Sequence, residues 1–222
     1  MASGAIGIAA QVGPLVCCEV QMKTLFLGAV IALLLGVQGA AAQDDKALTG
    51  FKVGAGFDFR AIQAKRSVSG WPSRVDERQG GAGYRAHVGY DVALGDGLLL
   101  GVEGGVGGGG KTLATRTAAG EYSLKPGFSY DASARVGIMP STSVLLYGRA
   151  GYQWLKTTEK ISFAGGGLAP LKHKETQSGI LYGFGAEYAA TNALSLRAEI
   201  DQASFGHGVK AAQVQLGGAL RF

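Results

Sequence analysis

Cysteine is all but missing from this 222-residue chain: Cys17 and Cys18 stand side by side, and no other occurs. Two adjacent thiols cannot staple a disulfide framework or supply a spaced zinc set. Proline is scarce, at 5 residues, and no Gly-X-Y period accompanies the 38 glycines, so a collagen is excluded. Charged residues make up only 17% while 47% are hydrophobic, which excludes a disordered chain. The glycine content also argues against a helical domain, because each interior glycine costs about 1 kcal/mol relative to alanine. After residue 42 no apolar run reaches the roughly 18 residues of a spanning helix. The nearest, Leu98 to Val106, is broken by Glu103 and three glycines.

What is present begins with an address. Lys23 precedes an apolar run from Leu25 to Val37, and Ala40-Ala41-Ala42 forms a small-residue cleavage site before Gln43. This order reads as a secretory signal peptide over 22–42. Residues 1–21 lack such a pattern and are expected to be an upstream extension of a chain that starts at Met22. The exported product, 43–222, is then periplasmic, secreted, or a β-barrel of an outer membrane.

That product alternates with period two in eight runs, the strand signature. In the first, Phe51, Val53, Ala55, Phe57 and Phe59 alternate with Lys52, Gly54, Gly56, Asp58 and Arg60. Similar runs cover 82–91, 98–106, 128–138, 144–154, 180–189, 194–201 and 212–222. One face is apolar throughout; the other mixes glycine, serine and full charges. A soluble sandwich gives similar alternation. Three features favour a barrel in lipid. The polar face combines glycine with charges of both signs, as a narrow lumen requires. Aromatics gather at two levels: Phe59, Tyr84, Phe128, Tyr130, Tyr152 and Trp154 at one, Phe51, Tyr90, Tyr188 and Phe222 at the other. Finally, tight turns at 94–97, 139–142 and 190–193 alternate with connections of roughly twenty residues, short on one side and long on the other. The 204–210 connection is shorter than this pattern asks. The expected fold is all-β: an eight-stranded antiparallel up-and-down transmembrane β-barrel over 43–222.

The motifs Gly89-Tyr90-Asp91, Leu100-Gly101-Val102-Glu103, Leu146-Tyr147-Gly148-Arg149-Ala150-Gly151-Tyr152, Leu181-Tyr182-Gly183-Phe184-Gly185-Ala186-Glu187 and Leu216-Gly217-Gly218-Ala219-Leu220-Arg221-Phe222 carry a resemblance. In order and spacing they resemble the small outer-membrane β-barrel family that includes opacity proteins and the OmpA-type transmembrane domain. The resemblance covers nearly the whole exported chain. It implies an outer-membrane protein of the "porin family" type, and it implies that Val214, Leu216, Gly218, Leu220 and Phe222 form the signal read by the barrel-assembly machinery, with Gly218 the weak member.

Several motifs invite a different chemistry. Gly105 to Thr112 matches the P-loop pattern, but that motif needs a helix to follow, and Leu113-Ala114-Thr115-Arg116-Thr117 does not read as one. His87, His173 and His207 fall in separate segments, so no metal or haem site is expected. No Ser/His/acid set with usable spacing appears, and the chain is expected to be neither an enzyme nor a cofactor binder.

Two charge patterns carry the functional expectation. Glu103, Arg135, Arg149, Glu187, Arg197 and Glu199 fall on the polar faces and should pair into a network that plugs the lumen, because isolated charges there are strongly penalised. The outer connections hold twelve cations against five anions, a local excess of +7 beside +5 for the whole chain. Lys65, Arg66, Arg74, Arg78, Lys111, Arg116, Lys172 and Lys174 are the candidate contacts to lipopolysaccharide phosphates or another anionic surface. Nucleic acid does not suit the location. The expected function is a non-enzymatic barrel supporting envelope integrity and presenting basic surface loops. A narrow porin and a lipid A-modifying enzyme are the alternatives.

Overall fold

The computed structural model describes residues 48–67, 74–95, 97–118, 120–164 and 169–222. The expected extension 1–21 and signal peptide 22–42 lie outside the described residues. Among the described residues nine strands follow one another: β1 (Gly50–Ser67), β2 (Arg74–Ala93), β3 (Leu98–Gly109), β4 (Leu113–Thr117), β5 (Gly120–Ser141), β6 (Val144–Phe163), β7 (Leu171–Ala189), β8 (Leu194–Phe205) and β9 (Val209–Arg221). Every pairing is antiparallel, β1 pairs with both β2 and β9, and β3 and β4 both pair with β5. Thus β3 and β4 form one interrupted stave, and eight staves close into an up-and-down ring, beyond which the outer ends of β2, β4 and β7 each pair on one side only. The interruption falls at Gly109 and Gly110, both with φ near +100° (104° and 97°).

The short turns share one end with the start of β1 and the finish of β9. At 94–97 the Leu98 amide donates to the Gly95 carbonyl at 2.9 Å. At 190–193 the Thr191 hydroxyl accepts from the Leu194 amide at 2.9 Å. At the other end the staves are much longer than expected: β1, β2, β5, β6 and β7 have 18, 20, 22, 20 and 19 residues. Most of the expected long loops is therefore strand. The 204–210 connection is a 3-10 turn, Gly206–Gly208.

The physical reason for the extension is that alternation continues while its polarity inverts. Over the part of each stave nearer the short turns the apolar residues face out: on β1 Phe57 is 81% exposed, while Asp58 and Arg60 are buried inside. On β6 this belt runs from Val144 to Trp154. Eleven residues at about 3.3 Å each, tilted by about 40°, span roughly the 25 Å of an outer-membrane hydrocarbon band. Two aromatic levels bound it. Phe51 and Phe222 meet at 6.1 Å near the short-turn end, and Tyr130 stacks on Trp154 at 5.1 Å near the other. Beyond the second level, Ile62, Leu113, Tyr122, Leu124, Leu155, Ile161, Phe205 and Val209 face inward and form a buried apolar cluster. This inner core holds the hairpins together above the belt. A second, smaller cluster of Leu48, Leu99, Leu145, Tyr147 and Ala189 closes the short-turn end, with Met139 against it.

Candidate functional site

Between the two apolar clusters the interior is ionic, and every stave contributes. Lys52, Asp58 and Arg60 come from β1, Arg85 and Asp91 from β2, Glu103 from β3, Asp131 and Arg135 from β5, Arg149 from β6, Glu187 from β7, Arg197, Glu199 and Asp201 from β8, and Arg221 from β9. All are buried, and they comprise seven cations and seven anions. The inward position of each follows from its phase in an alternating strand. Small neighbours on the inner face make the room: a side chain at Gly101 would strike the Asp91 carboxylate, and one at Gly105 the Arg85 guanidinium.

Glu103 is the hub. Its carboxylate lies 3.1 Å from Lys52 Nζ, 2.9 Å from Arg85 Nη2 and 3.6 Å from Arg149 Nη1, and it accepts two hydrogen bonds from Arg197, at 2.6 and 3.1 Å. Arg85 also donates twice to Asp131, at 3.0 and 2.7 Å. Arg149 bridges Glu199 at 2.6 Å and Asp131 at 2.8 Å. Nearer the short-turn end, Arg135 grips Asp91 with both arms of its guanidinium and reaches Glu187 at 2.9 Å. Arg221 contacts the same Glu187 and Asp91 and donates to the Leu48 carbonyl at 2.5 Å. Such forked pairs are directional as well as strong. Tyr147 joins the layers: its hydroxyl donates to Glu199 at 2.7 Å, and its ring lies 4.9 Å from the Arg135 guanidinium and 5.4 Å from that of Arg197.

The six lumen residues singled out by phase thus sit in one connected cluster. Lys52, Arg85, Asp91, Asp131, Asp201 and Arg221 belong to it as well. The signal for them was available, since each lies on the polar face of its run. His87 also faces inward and is buried, whereas His173 stands exposed on β7 rather than in a loop. The side chain of His207 lies outside the described residues. Among the described residues no group of His, Cys, Asp and Glu is arranged to hold a metal ion. The P-loop-like segment is strand through Gly109 and is followed by β4, so it offers no helix N-terminus to a phosphate.

The basic candidates need relocation. Lys65 and Arg66 are in β1, Arg74 and Arg78 in β2, Arg116 in β4, and Lys172 and Lys174 in β7; only Lys111 lies between strands. They are strand residues because the apolar cluster inside carries the hairpins outward. The side chains of Arg66 and Arg74 lie outside the described residues. Lys65 pairs with Asp76 at 3.3 Å and Arg116 with Glu121 at 2.9 Å, both in the open. Lys172 and Lys174 are exposed and form no ion pair with a described residue. On β9 Leu216 and Leu220 point outward; Phe222 follows at the short-turn end, exposed, and its amide donates to the Phe51 carbonyl at 2.9 Å.

The family model described as "Outer membrane protein beta-barrel domain" matches residues 29–222. No curated protein matches in sequence. Among solved structures, the chain is similar to Ail, the attachment invasion locus protein of Yersinia pestis, in complex with the heparin analogue sucrose octasulfate. The identity is 15% and the TM-score 0.50, over 79% of this chain and 100% of that one. Neisserial surface protein A is similar at 18% identity and TM-score 0.48, over 78% and 98%. The N-terminal barrel domain of Pseudomonas aeruginosa OprF is similar at 16% identity and TM-score 0.37, over 78% and 98%.

Proposed function

The chain belongs to the family of outer membrane protein beta-barrel domains, and from that premise we propose that it is a sealed, non-enzymatic protein of the outer membrane. It supports the envelope mechanically and offers its basic outer end to anionic partners, lipopolysaccharide first among them. One observation carries this reading: the interior is stacked as an apolar floor, a charge-matched middle and an apolar roof. An ion entering from either side passes buried apolar side chains before it reaches the matched charges of the middle layer. Beyond them the cations and anions are already engaged with one another, and separating buried partners costs several kcal/mol. The same two layers keep a substrate away from the inner carboxylates, which supports a non-enzymatic role.

Planar-bilayer recording with purified protein tests the seal. The expected result is no steady conductance; a steady single-channel current overturns it in favour of the narrow porin. The envelope role is tested by deleting the gene and measuring survival in detergent, with loss of survival expected. The outward residues Val214, Leu216, Gly218, Leu220 and Phe222 are proposed as the face that the assembly machinery reads. Phe222→Ala is expected to lower the amount of heat-modifiable barrel in outer-membrane fractions without changing the refolding yield in detergent.

A further inference from the structure

The outer surface is not uniformly basic. On β5, β6 and β7, above the stacked pair Tyr130 and Trp154, five exposed lysines point outward: Lys125, Lys156, Lys160, Lys172 and Lys174. Their neighbours on that face are Ser123, Thr158 and Thr176. The strand register sets them in rows, with Lys160 directly opposite Lys172, and Lys125 and Lys174 on either side of Thr158. Like charges directly opposite one another destabilise a sheet. Yet none of the five forms an ion pair with a described residue, and Glu159, in the same stretch of β6, is buried on the other face. The exposed cations at Lys65 and Arg116 differ, because each has an acidic partner.

Below the same aromatic pair the wall is hollowed. An open groove of about 660 Å³ on the lipid-facing side has Gly104, Ala132 and Ala134 as its floor and Tyr90, Val102 and Tyr152 as its sides. A side chain added at Gly104 would meet no atom nearer than 3.9 Å. Tyr152 packs edge-on against Trp154 at 5.0 Å, so the groove runs up to the aromatic shelf. Lys156 follows Trp154 on the same face, about 7 Å further along the strand.

From apolar groove to aromatic shelf to lysines with no acidic partner among the described residues, the order is that of an anionic amphiphile standing in the outer leaflet. We propose that this face of β5–β7, with the adjoining β3, is a binding site for an acyl lipid with a phosphate-bearing headgroup. A chain lies in the groove and the phosphate bridges the opposed lysines. The site rests on the outer-membrane reading above and is independent of whether the lumen conducts.

Trp154 provides the readout. With Trp71→Phe as background it is the sole tryptophan, because the chain has two. The full chain is refolded into phosphatidylcholine vesicles containing either phosphatidic acid or phosphatidylcholine with brominated acyl chains, and quenching of Trp154 is followed at low salt. Phosphatidic acid is expected to quench at roughly tenfold lower mole fraction, given the attraction each basic residue adds at an anionic surface. The combined variant Lys156→Gln, Lys160→Gln and Lys172→Gln should bring the two lipids to near parity with unchanged heat-modifiable migration. Ala132→Leu with Ala134→Leu, which fills the groove floor, should weaken the preference while leaving the lysines in place. Equal quenching by both lipids in the starting protein overturns the proposal, as does a preference that survives loss of the lysines. A preference unchanged by the leucines removes the groove from the site. If a soluble sulfated polysaccharide binds the lysines while phosphatidic acid shows no preference, the site belongs to a soluble polyanion and the proposal falls. Absence of quenching by either lipid would instead show that the barrel had not entered the bilayer, and so would strike the outer-membrane reading itself.

Discussion

Up to Arg60, strand β1 turns Lys52, Asp58 and Arg60 inward and Phe51, Val53, Phe57 and Phe59 outward; past it, Ile62 and Ala64 turn inward and Gln63 and Lys65 outward. Strand β6 does the same on either side of its aromatic level, with Arg149 and Gln153 inside below and Leu155 and Ile161 inside above. The pleat is continuous in both regions, and the medium outside differs. Below, hydrocarbon surrounds the wall, so an apolar side chain gains little by moving inside, and polar groups collect where they can find partners. Above, water surrounds it, and burying a leucine or tyrosine stabilises the hairpins by about 1.5–3 kcal/mol per side chain. The two regions teach that period two specifies a strand, while polarity along that strand specifies its surroundings.

Four perturbations press on this difference. The largest effect is expected at Glu103→Gln, which leaves four cations around a neutral amide; a loss of about 3–5 kcal/mol should appear in denaturant unfolding of the refolded barrel. A change below about 1 kcal/mol would mean that the ionic layer is not what holds the lower region together. Leu155→Ala, in the upper cluster, should cost about 2–4 kcal/mol in the same measurement. It should also speed amide exchange in the β5–β7 hairpins while leaving the belt protected. Equal acceleration throughout would erase the boundary between the regions. Leu216→Arg near the middle of the belt should cost about 2–4 kcal/mol in vesicles, provided the outer wall is immersed in lipid. The smallest effect belongs to Lys65→Ala. Its pair with Asp76 is more than half exposed on both sides, so the change should stay under about 1 kcal/mol and vanish at high salt.

Much of this was legible in the residues. Alternation alone marks the lower staves, and phase alone turns Glu103, Arg135, Arg149, Glu187, Arg197 and Glu199 toward the axis. Phase does not say who meets whom. Arg197 and Glu103 are 94 residues apart, and only ring closure brings them together. The upper staves escaped for a different reason. Searching for apolar residues on the outer face ends each run at the aromatic level, where the pattern inverts without losing its period. On β5 an irregularity between Pro126 and Ser129 adds to this. Tyr122 and Leu124 face inward at even positions, Asp131 and Arg135 at odd ones, and a strict alternation cannot be followed through the break. Basic residues such as Lys172 therefore read as loop residues, although period two continues beneath them.

The eight-stave origin of the ionic layer has a consequence for biogenesis. Contacts such as Arg197 with Glu103 and Arg221 with Asp91 join late staves to early ones. A flat, half-made sheet pressed into hydrocarbon would leave these ions solvated by nothing. Rolling up and sinking in are thereby bound into one event, and immersion of Trp154 should share a single time course with the pairing of β1 to β9.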